Sequence, residues 1–414
     1  MLAGRVRVWL WVVVVVVGRA ARAQSPRLWV VGQVADYGVK RRGGELALED
    51  ALIVDVGMND GSDVTLPGLA RGNSVIAFEP LPAMCERVLS KARAMASQGT
   101  IRAAADVVSK VGAAATVDEM RRVVSEAPRP SLSLFAAVAS RETDLSRSVA
   151  IYGPEGDSTS KMSSTDPKNM PRVGPGTKRG AKAVKVATVS SIALDDVVAS
   201  KVGLLKVDAQ GNELNVLRGA ATVLNDPKLS PSFLQFEFVP RMIRHMMAAA
   251  PASESSSLAE DPALTLLEVV RAAKRVCFAY GPHVTATFAT FGGRQSLQRQ
   301  RHGAHTAASR NGSFFDRPRP VAFADFVDAL SPPDVDYDDI EETDESIRCG
   351  RLGCHAEILC VDDRREDHDE RRRSLRQFFA TRLGGHHPHS SARLQALVTA
   401  HLDAIFPGVP DSGL

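Results

Sequence analysis

The stretch Ala51-Leu-Ile-Val-Asp-Val-Gly-Met-Asn-Asp-Gly61 decides how the remainder of the chain is read. Leu52 to Val56, apolar or β-prone with Asp55 among them, run into a cluster of Gly57, Asn59, Asp60 and Gly61. A short apolar run closed by turn residues predicts a buried strand of a parallel sheet. The glycines let the backbone turn sharply and approach a bound molecule. A helix beginning near Ser62 would aim its free N–H groups at that molecule. This is the shape of the first nucleotide-binding turn of a doubly wound sheet, with one glycine fewer than the dinucleotide fingerprint. An ordinary strand and tight turn is the plain alternative. Working outward, Ser74-Val-Ile-Ala-Phe-Glu79-Pro80 is a second strand ending in a carboxylate about 20 residues on, where a ribose-binding acid is expected.

The 414 residues can hold one large domain or two modest ones, and 44% hydrophobic content supports a sizeable core. A net charge of +3 is too small to argue for nucleic acid, and sparse aromatics make a base-stacking platform a poor fit. At the N-terminus, Arg5 and Arg7 form a basic region, Val8 to Val17 an apolar one, and Ala21-Arg-Ala23 supplies small residues for cleavage. The apolar run is half the roughly 20 residues a bilayer needs, so residues 1–23 read as a signal peptide, with a retained anchor or an organelle transit peptide as alternatives. A membrane partner is expected only if the segment is retained. The expected location is the secretory pathway. Five cysteines are too few for a disulfide scaffold. Cys349 and Cys354 could pair across a loop, whereas Cys85, in a predicted helix, and Cys277, in a predicted strand, read as buried thiols.

Along the chain, strands are expected at Leu28 to Val31, Leu132 to Val138, Ser148 to Tyr152, Ala183 to Val189, Val202 to Val207, Ser232 to Val239, Val276 to Tyr280 and Ala356 to Val361. Helices are expected over Ala83 to Met95, Thr116 to Ser125, Glu213 to about Leu224, Leu264 to Arg275 and Val321 to Leu330, with a short one around Leu194 to Val198. Pro67 and Gly68 leave only a weak helix between the first two strands. The Ala-rich segment after Met95 looks like an expanded crossover helix. Gly153 to Lys182 is a loop, residues 281–345 a loop-rich insertion, and residues 364–414 a charged helical tail. Strands alternating with helices define an α/β protein with a mainly parallel sheet over residues 46–363. His386-His-Pro-His389 reads as a solvent-exposed tract rather than a metal site, and no metal is expected.

The ordered set Asp55-Val-Gly-Met-Asn-Asp-Gly61, Ala77-Phe-Glu79-Pro80, Leu194-Asp-Asp196, Leu205-Lys-Val-Asp208-Ala-Gln210-Gly211-Asn-Glu213 with Leu217 and Gly219-Ala220, and Gln235-Phe-Glu237 resembles FkbM-type methyltransferases. The resemblance covers roughly residues 46 to 280, with an echo at Glu357 to Val361. It implies a class I methyltransferase (Rossmann-like) fold, S-adenosylmethionine as cofactor, and O-methylation of a hydroxyl, often on a sugar or polyketide. The expected acceptor is therefore a glycan or a small molecule. This chain departs from the family pattern at Gln210, where Glu is usual, at Asn212, and in a longer crossover between Glu79 and Leu132.

The cofactor-binding set is then Asp55, Gly57, Asn59, Gly61 and Glu79. Backbone near the glycines and Asn59 would meet the methionine moiety, and Glu79 would accept from the two ribose hydroxyls. Asp55 either contacts the amino group or holds the turn. Ala137 to Ala139 would flank the adenine. Methyl transfer to oxygen needs an aligned hydroxyl and often a base. Asp208, at the end of a core strand, is that base or a substrate-positioning acid, or else a helix cap. Glu237 is the second catalytic candidate. Glu213 reads as a structural acid at a helix N-terminus, Lys206 as snorkelling or paired, His245 as a weaker base, and Asp157 to Ser164 as a loop that lids the site or lies free on the surface. A nucleotide-dependent oxidoreductase is disfavoured, because the full glycine fingerprint and a Tyr-Lys pair are absent. A non-catalytic, cofactor-binding relative is the remaining alternative.

Overall fold

The structure, a computed structural model, describes residues 27–30, 51–98, 108–111, 117–127, 130–154, 165, 183–248, 261–280, 319–331 and 354–362. The expectations for residues 1–23, the 157–164 loop, most of the 281–345 insertion, Cys349, the 364–414 tail and its histidines lie outside these residues. Among the described residues no helix is long and apolar enough to cross a membrane.

In chain order the elements are β1 (Arg27–Val30), β2 (Leu52–Val56), α1 (Thr65–Ala70), β3 (Ser74–Phe78), α2 (Pro82–Ser97), β4 (Val108–Val111), α3 (Val117–Glu126), β5 (Leu132–Phe135), β6 (Ala137–Ala139), β7 (Asp144–Pro154) and β8 (Ala183–Ile192). They continue with α4 (Leu194–Val197), β9 (Val202–Val207), α5 (Glu213–Arg218), α6 (Ala221–Asn225), β10 (Phe233–Phe238), α7 (Pro240–Ala248), α8 (Pro262–Ala272), β11 (Arg275–Tyr280), β12 (Arg319–Ala322), α9 (Phe323–Leu330) and β13 (Ala356–Asp362). Ten strands form one sheet in the order β12-β1-β11-β13-β10-β9-β2-β3-β5-β4. The run from β10 through β9, β2 and β3 to β5 and β4 is parallel throughout. β13 enters antiparallel between β10 and β11. β6, β8 and β7 make a separate small sheet.

Parallel strands covered on both faces read as unbroken apolar runs, and every residue of β2, β3 and β9 is buried. Alternate side chains feed two cores. Val54, Val56, Phe78, Leu205 and Phe236 face the side packed by Leu217, Ile243, Leu267 and Phe326. Ile53, Val75, Ala77 and Leu204 face the side packed by Leu69, Val88 and Leu89.

α1 forms despite Pro67 and Gly68, and both residues have a reason. Pro67 lies in the first turn, where its missing N–H has no partner to lose. Gly68 lies so close to β2 that a Cβ there would sit 2.7 Å from Ile53 Cδ1. Three expectations give way. The strand predicted over Leu132 to Val138 is two strands, β5 in the main sheet and β6 in the small one. The helix predicted from Glu213 to Leu224 breaks at Gly219, where a Cβ would lie 1.8 Å from the Ser140 carbonyl oxygen. The Ala-rich crossover contains a strand, β4, rather than helix alone.

Cys277 is not a thiol. It is bonded to Cys360, directly opposite it across β11 and β13, with Cα atoms 4.0 Å apart. The partner is 83 residues away and is brought there by the insertion of β13, which no local spacing reveals. Cys354 is also disulfide-bonded, and Cys85 is a buried free thiol.

Candidate functional site

The chain order turns back at β2: β3 and β5 follow on one side, and β9 and β10 are added later on the other. Ligands of open α/β sheets gather in the crevice beyond the strand ends at such a point. A cleft lies there, lined by Gly57, Asn59, Phe78, Glu79, Leu81, Ala137, Val138, Ala139, Ile151, Thr165 and the run Asp208, Ala209, Gln210 and Asn212. Among these described lining residues two are acidic and none is basic.

The floor is a contact of two strand ends. Gly57 has φ +72°, and a Cβ on it would sit 1.8 Å from the Asp208 carbonyl oxygen, so only glycine lets the β2 turn touch the end of β9. Asp208 N donates to Val56 O at 3.0 Å, and Gly57 N and Met58 N both donate to Phe78 O, at 3.0 and 3.1 Å. The β2 turn is thereby tied to β9 on one side and β3 on the other.

Glu79 closes the cleft at the end of β3. Its Oε2 accepts from Asn59 N at 2.9 Å and its Oε1 from Leu81 N at 2.9 Å. It is 4% exposed. Burial pushes its carboxyl up to about 7, against the pull of those two N–H groups and of Lys206. Each oxygen keeps a lone pair beyond the one already used. Gly61, also with φ +72°, lies under the loop against Leu66 and Val88 and is not among the lining residues.

Beneath the floor lies a buried charge cluster. Lys206 Nζ donates to Gly57 O at 2.7 Å and stands 3.4 Å from Asp55 Oδ1 and 3.5 Å from Asp208 Oδ2. Burial disfavours its ammonium, but the surrounding carboxylates, Asp55 and Asp208 foremost with Asp63 and Glu357, outweigh burial and hold it above the ordinary lysine value. Asp55 is 1% exposed and accepts from Thr65 Oγ1 at 2.7 Å. It does not line the cleft. Its partners are the Thr65 hydroxyl and the Lys206 ammonium, and Lys206 is paired rather than snorkelling.

On the opposite wall Gln210 Nε2 donates to Asp208 Oδ1 at 3.0 Å and to Glu237 Oε2 at 3.2 Å. Asp208 lines the cleft, while Glu237 stands behind Gln210 and is not among the lining residues. Gln210 was visible in the sequence only as a departure from the family pattern, and its bridging role needs the β10 end beside it. Asn212 Nδ2 donates to Ala139 O at 3.0 Å and so joins this wall to β6. His245 is exposed on α7 and lies away from the lining residues. Thr165, just beyond the predicted lid, lines the cleft and lies 3.7 Å from Met246 Sδ. No group of three or more His, Cys, Asp or Glu among the described residues is placed to hold a metal ion.

A mainly parallel α/β sheet whose switch-point cleft has a glycine turn on one strand and an acid on the next has the layout of a Rossmann-like, nucleotide-cofactor-binding domain. Residues 55–249 match the family model of the methyltransferase FkbM domain. The resemblance carried by Asp55 to Gly61, Glu79, Asp208 to Glu213 and Glu237 is thereby borne out. Among similar solved structures is the methyltransferase FkbM of Methylobacillus flagellatus KT, at 15% identity and a TM-score of 0.26. The likeness covers 51% of this chain and 38% of that one. No curated protein matches the chain.

Proposed function

We propose that the protein is an S-adenosylmethionine-dependent O-methyltransferase acting on a hydroxyl of a glycan or small metabolite. The observation that carries this reading is the meeting, in one cleft, of the Gly57–Asn59 turn and the Glu79 carboxyl with Asp208 across from them. The donor set fits the cofactor: a turn that admits no Cβ at Gly57, and a buried carboxyl facing the cleft with lone pairs to spare. When bound, S-adenosylmethionine supplies an electrophilic methyl group on sulfur.

Glu79 holds the ribose hydroxyls, and the Gly57–Asn59 backbone meets the methionine part. Phe78, Leu81, Ala137, Val138 and Ile151 give the apolar surface that excludes water from the adenine side. Asp208 would take the proton of the acceptor hydroxyl, so that the hydroxyl oxygen could accept the methyl group that the bound cofactor would supply. Lys206 holds the Asp208 carboxylate from below, and Gln210 holds it from the side with Glu237. The cleft thus offers positioning and one proton acceptor, which is what in-line displacement asks of a protein.

The disulfide in the middle of the sheet belongs to an oxidising compartment. This supports placement in the secretory pathway, with residues 1–23 as its signal. The test of the activity is transfer of labelled methyl from S-adenosylmethionine to a panel of hydroxylated glycans and metabolites. Transfer that Asp208→Asn lowers by about a hundredfold or more supports the reading. Transfer unchanged in that variant removes Asp208 from the chemistry, and a panel with no transfer by a protein that binds the cofactor favours the non-catalytic relative.

A further inference from the structure

The loop from Asp208 to Asn212 supplies four of the residues that line the cleft, yet its conformation is one its sequence does not favour. Gln210 has φ +52° and Gly211 φ +96°. Glycine adopts such values freely, and a residue with a Cβ does so only when its surroundings impose it. A turn of this kind directs neighbouring N–H groups into one concavity that attracts an anion.

Here the chain supplies the occupant itself. A single oxygen of Glu213, Oε1, accepts from Ala209 N at 2.9 Å and from Gly211 N at 3.1 Å. Glu213 is 1% exposed, and its other oxygen, Oε2, is buried without a hydrogen bond. A carboxylate that only needed a helix N-terminus would keep both oxygens near solvent or N–H donors. This one leaves Oε2 without a hydrogen bond and turns Oε1 toward the loop N–H groups as well as its own helix N-terminus. Burial outweighs these hydrogen bonds and pushes the carboxyl up to about 7. The left-handed turn then aims Gln210 at Asp208 and Glu237.

We propose that Glu213 is a positioning residue for the acceptor-side wall of the cleft: by accepting from Ala209 and Gly211 it imposes the left-handed turn at Gln210 and so sets the Asp208–Gln210–Glu237 bridge. The inference takes its functional weight from the methyltransferase reading above, but the turn can be tested without it. Amide exchange, followed by mass spectrometry on peptides spanning 205–214 of the full chain, reads the turn. Calorimetry with S-adenosylhomocysteine reads the cleft.

Glu213→Leu is expected to speed exchange at Ala209 and Gly211 by about tenfold while β2 and β10 stay protected, and to weaken binding by about tenfold. Glu213→Gln keeps an accepting oxygen and is expected to stay within about twofold of the wild type in both readouts. Wild-type behaviour of Glu213→Leu, failure of Glu213→Gln as severe as that of Glu213→Leu, or equal loss of protection across β2, β9 and β10 would each overturn the proposal. Should Glu213→Leu not fold, Glu213→Gln decides alone: near wild-type exchange sustains the proposal and a tenfold loss overturns it. A wild-type protein that binds no S-adenosylhomocysteine would contradict the proposed function and leave the exchange result to judge Glu213.

Discussion

Glu79 lines the cleft and Glu213 is buried behind its Asp208–Asn212 wall, and burial holds both carboxyls up to about 7 against the hydrogen bonds they accept. The consequence for stability has a definite sign. A carboxyl that titrates near 7 when folded and near 4.5 when unfolded leaves the folded state holding more protons between those values. Stability therefore falls as pH rises from about 4.5 to about 7, the reverse of the usual behaviour of a paired carboxylate. Asp60 and Asp261 titrate the ordinary way round. Although partly buried, Asp60 is held down to about 2 by Ser62 and Lys91, and Asp261 is lowered by Arg244 and Ala263, so both act below this window. Thermal melts from pH 5 to 7 should show a downward slope, and E79Q/E213Q should flatten it. An unchanged slope in that double variant would show that these two carboxyls are not the source.

At the scale of elements, two features join parts of the chain that are remote in sequence. Asp195, in α4, accepts from Thr222 N at 2.9 Å and Val223 N at 2.8 Å, capping α6 across space. Its own N–H donates to Gly219 O at 2.9 Å. The Leu194-Asp-Asp196 and Gly219-Ala220 pieces of the family pattern are thus two halves of one joint. Asp195→Ala should cost about 1 kcal/mol in urea unfolding, as loss of a helix cap does, while Asp196→Ala should cost less, because its bond to Arg121 is exposed. The disulfide between β11 and β13 closes a loop of 83 residues. Its removal in C277A/C360A should cost about 2–4 kcal/mol, seen as a lowered melting temperature. A variant melting with the wild type would mean the sheet holds β13 without it.

For the molecule as a whole, what could be read in advance follows from how it is packed. The strands buried on both faces, β2, β3, β9 and β10, announce themselves as apolar runs, and the turn and acid at their ends could be numbered from sequence. Gly57, Asn59, Glu79 and Asp208 do line one cleft. The break at Gly219, the division of β5 from β6, the Cys277–Cys360 bond and the Gln210 bridge each depend on a neighbour distant in sequence, so local periodicity carries no trace of them. Asp55 and Gly61 share the cleft's turn in sequence but do not line it. The strand's alternation buries the first against Lys206 and Thr65, and the second serves packing under the loop.

The central claim is that this cleft holds S-adenosylmethionine through Glu79 and the Gly57 turn. Calorimetry of the full chain with S-adenosylmethionine at pH 8, beside Glu79→Ala, tests it most directly. The account predicts micromolar binding, weakened about a hundredfold in the variant, in keeping with the loss of two hydrogen bonds to a charged acceptor. No binding by a folded wild-type protein, or equal binding by both proteins, would contradict it.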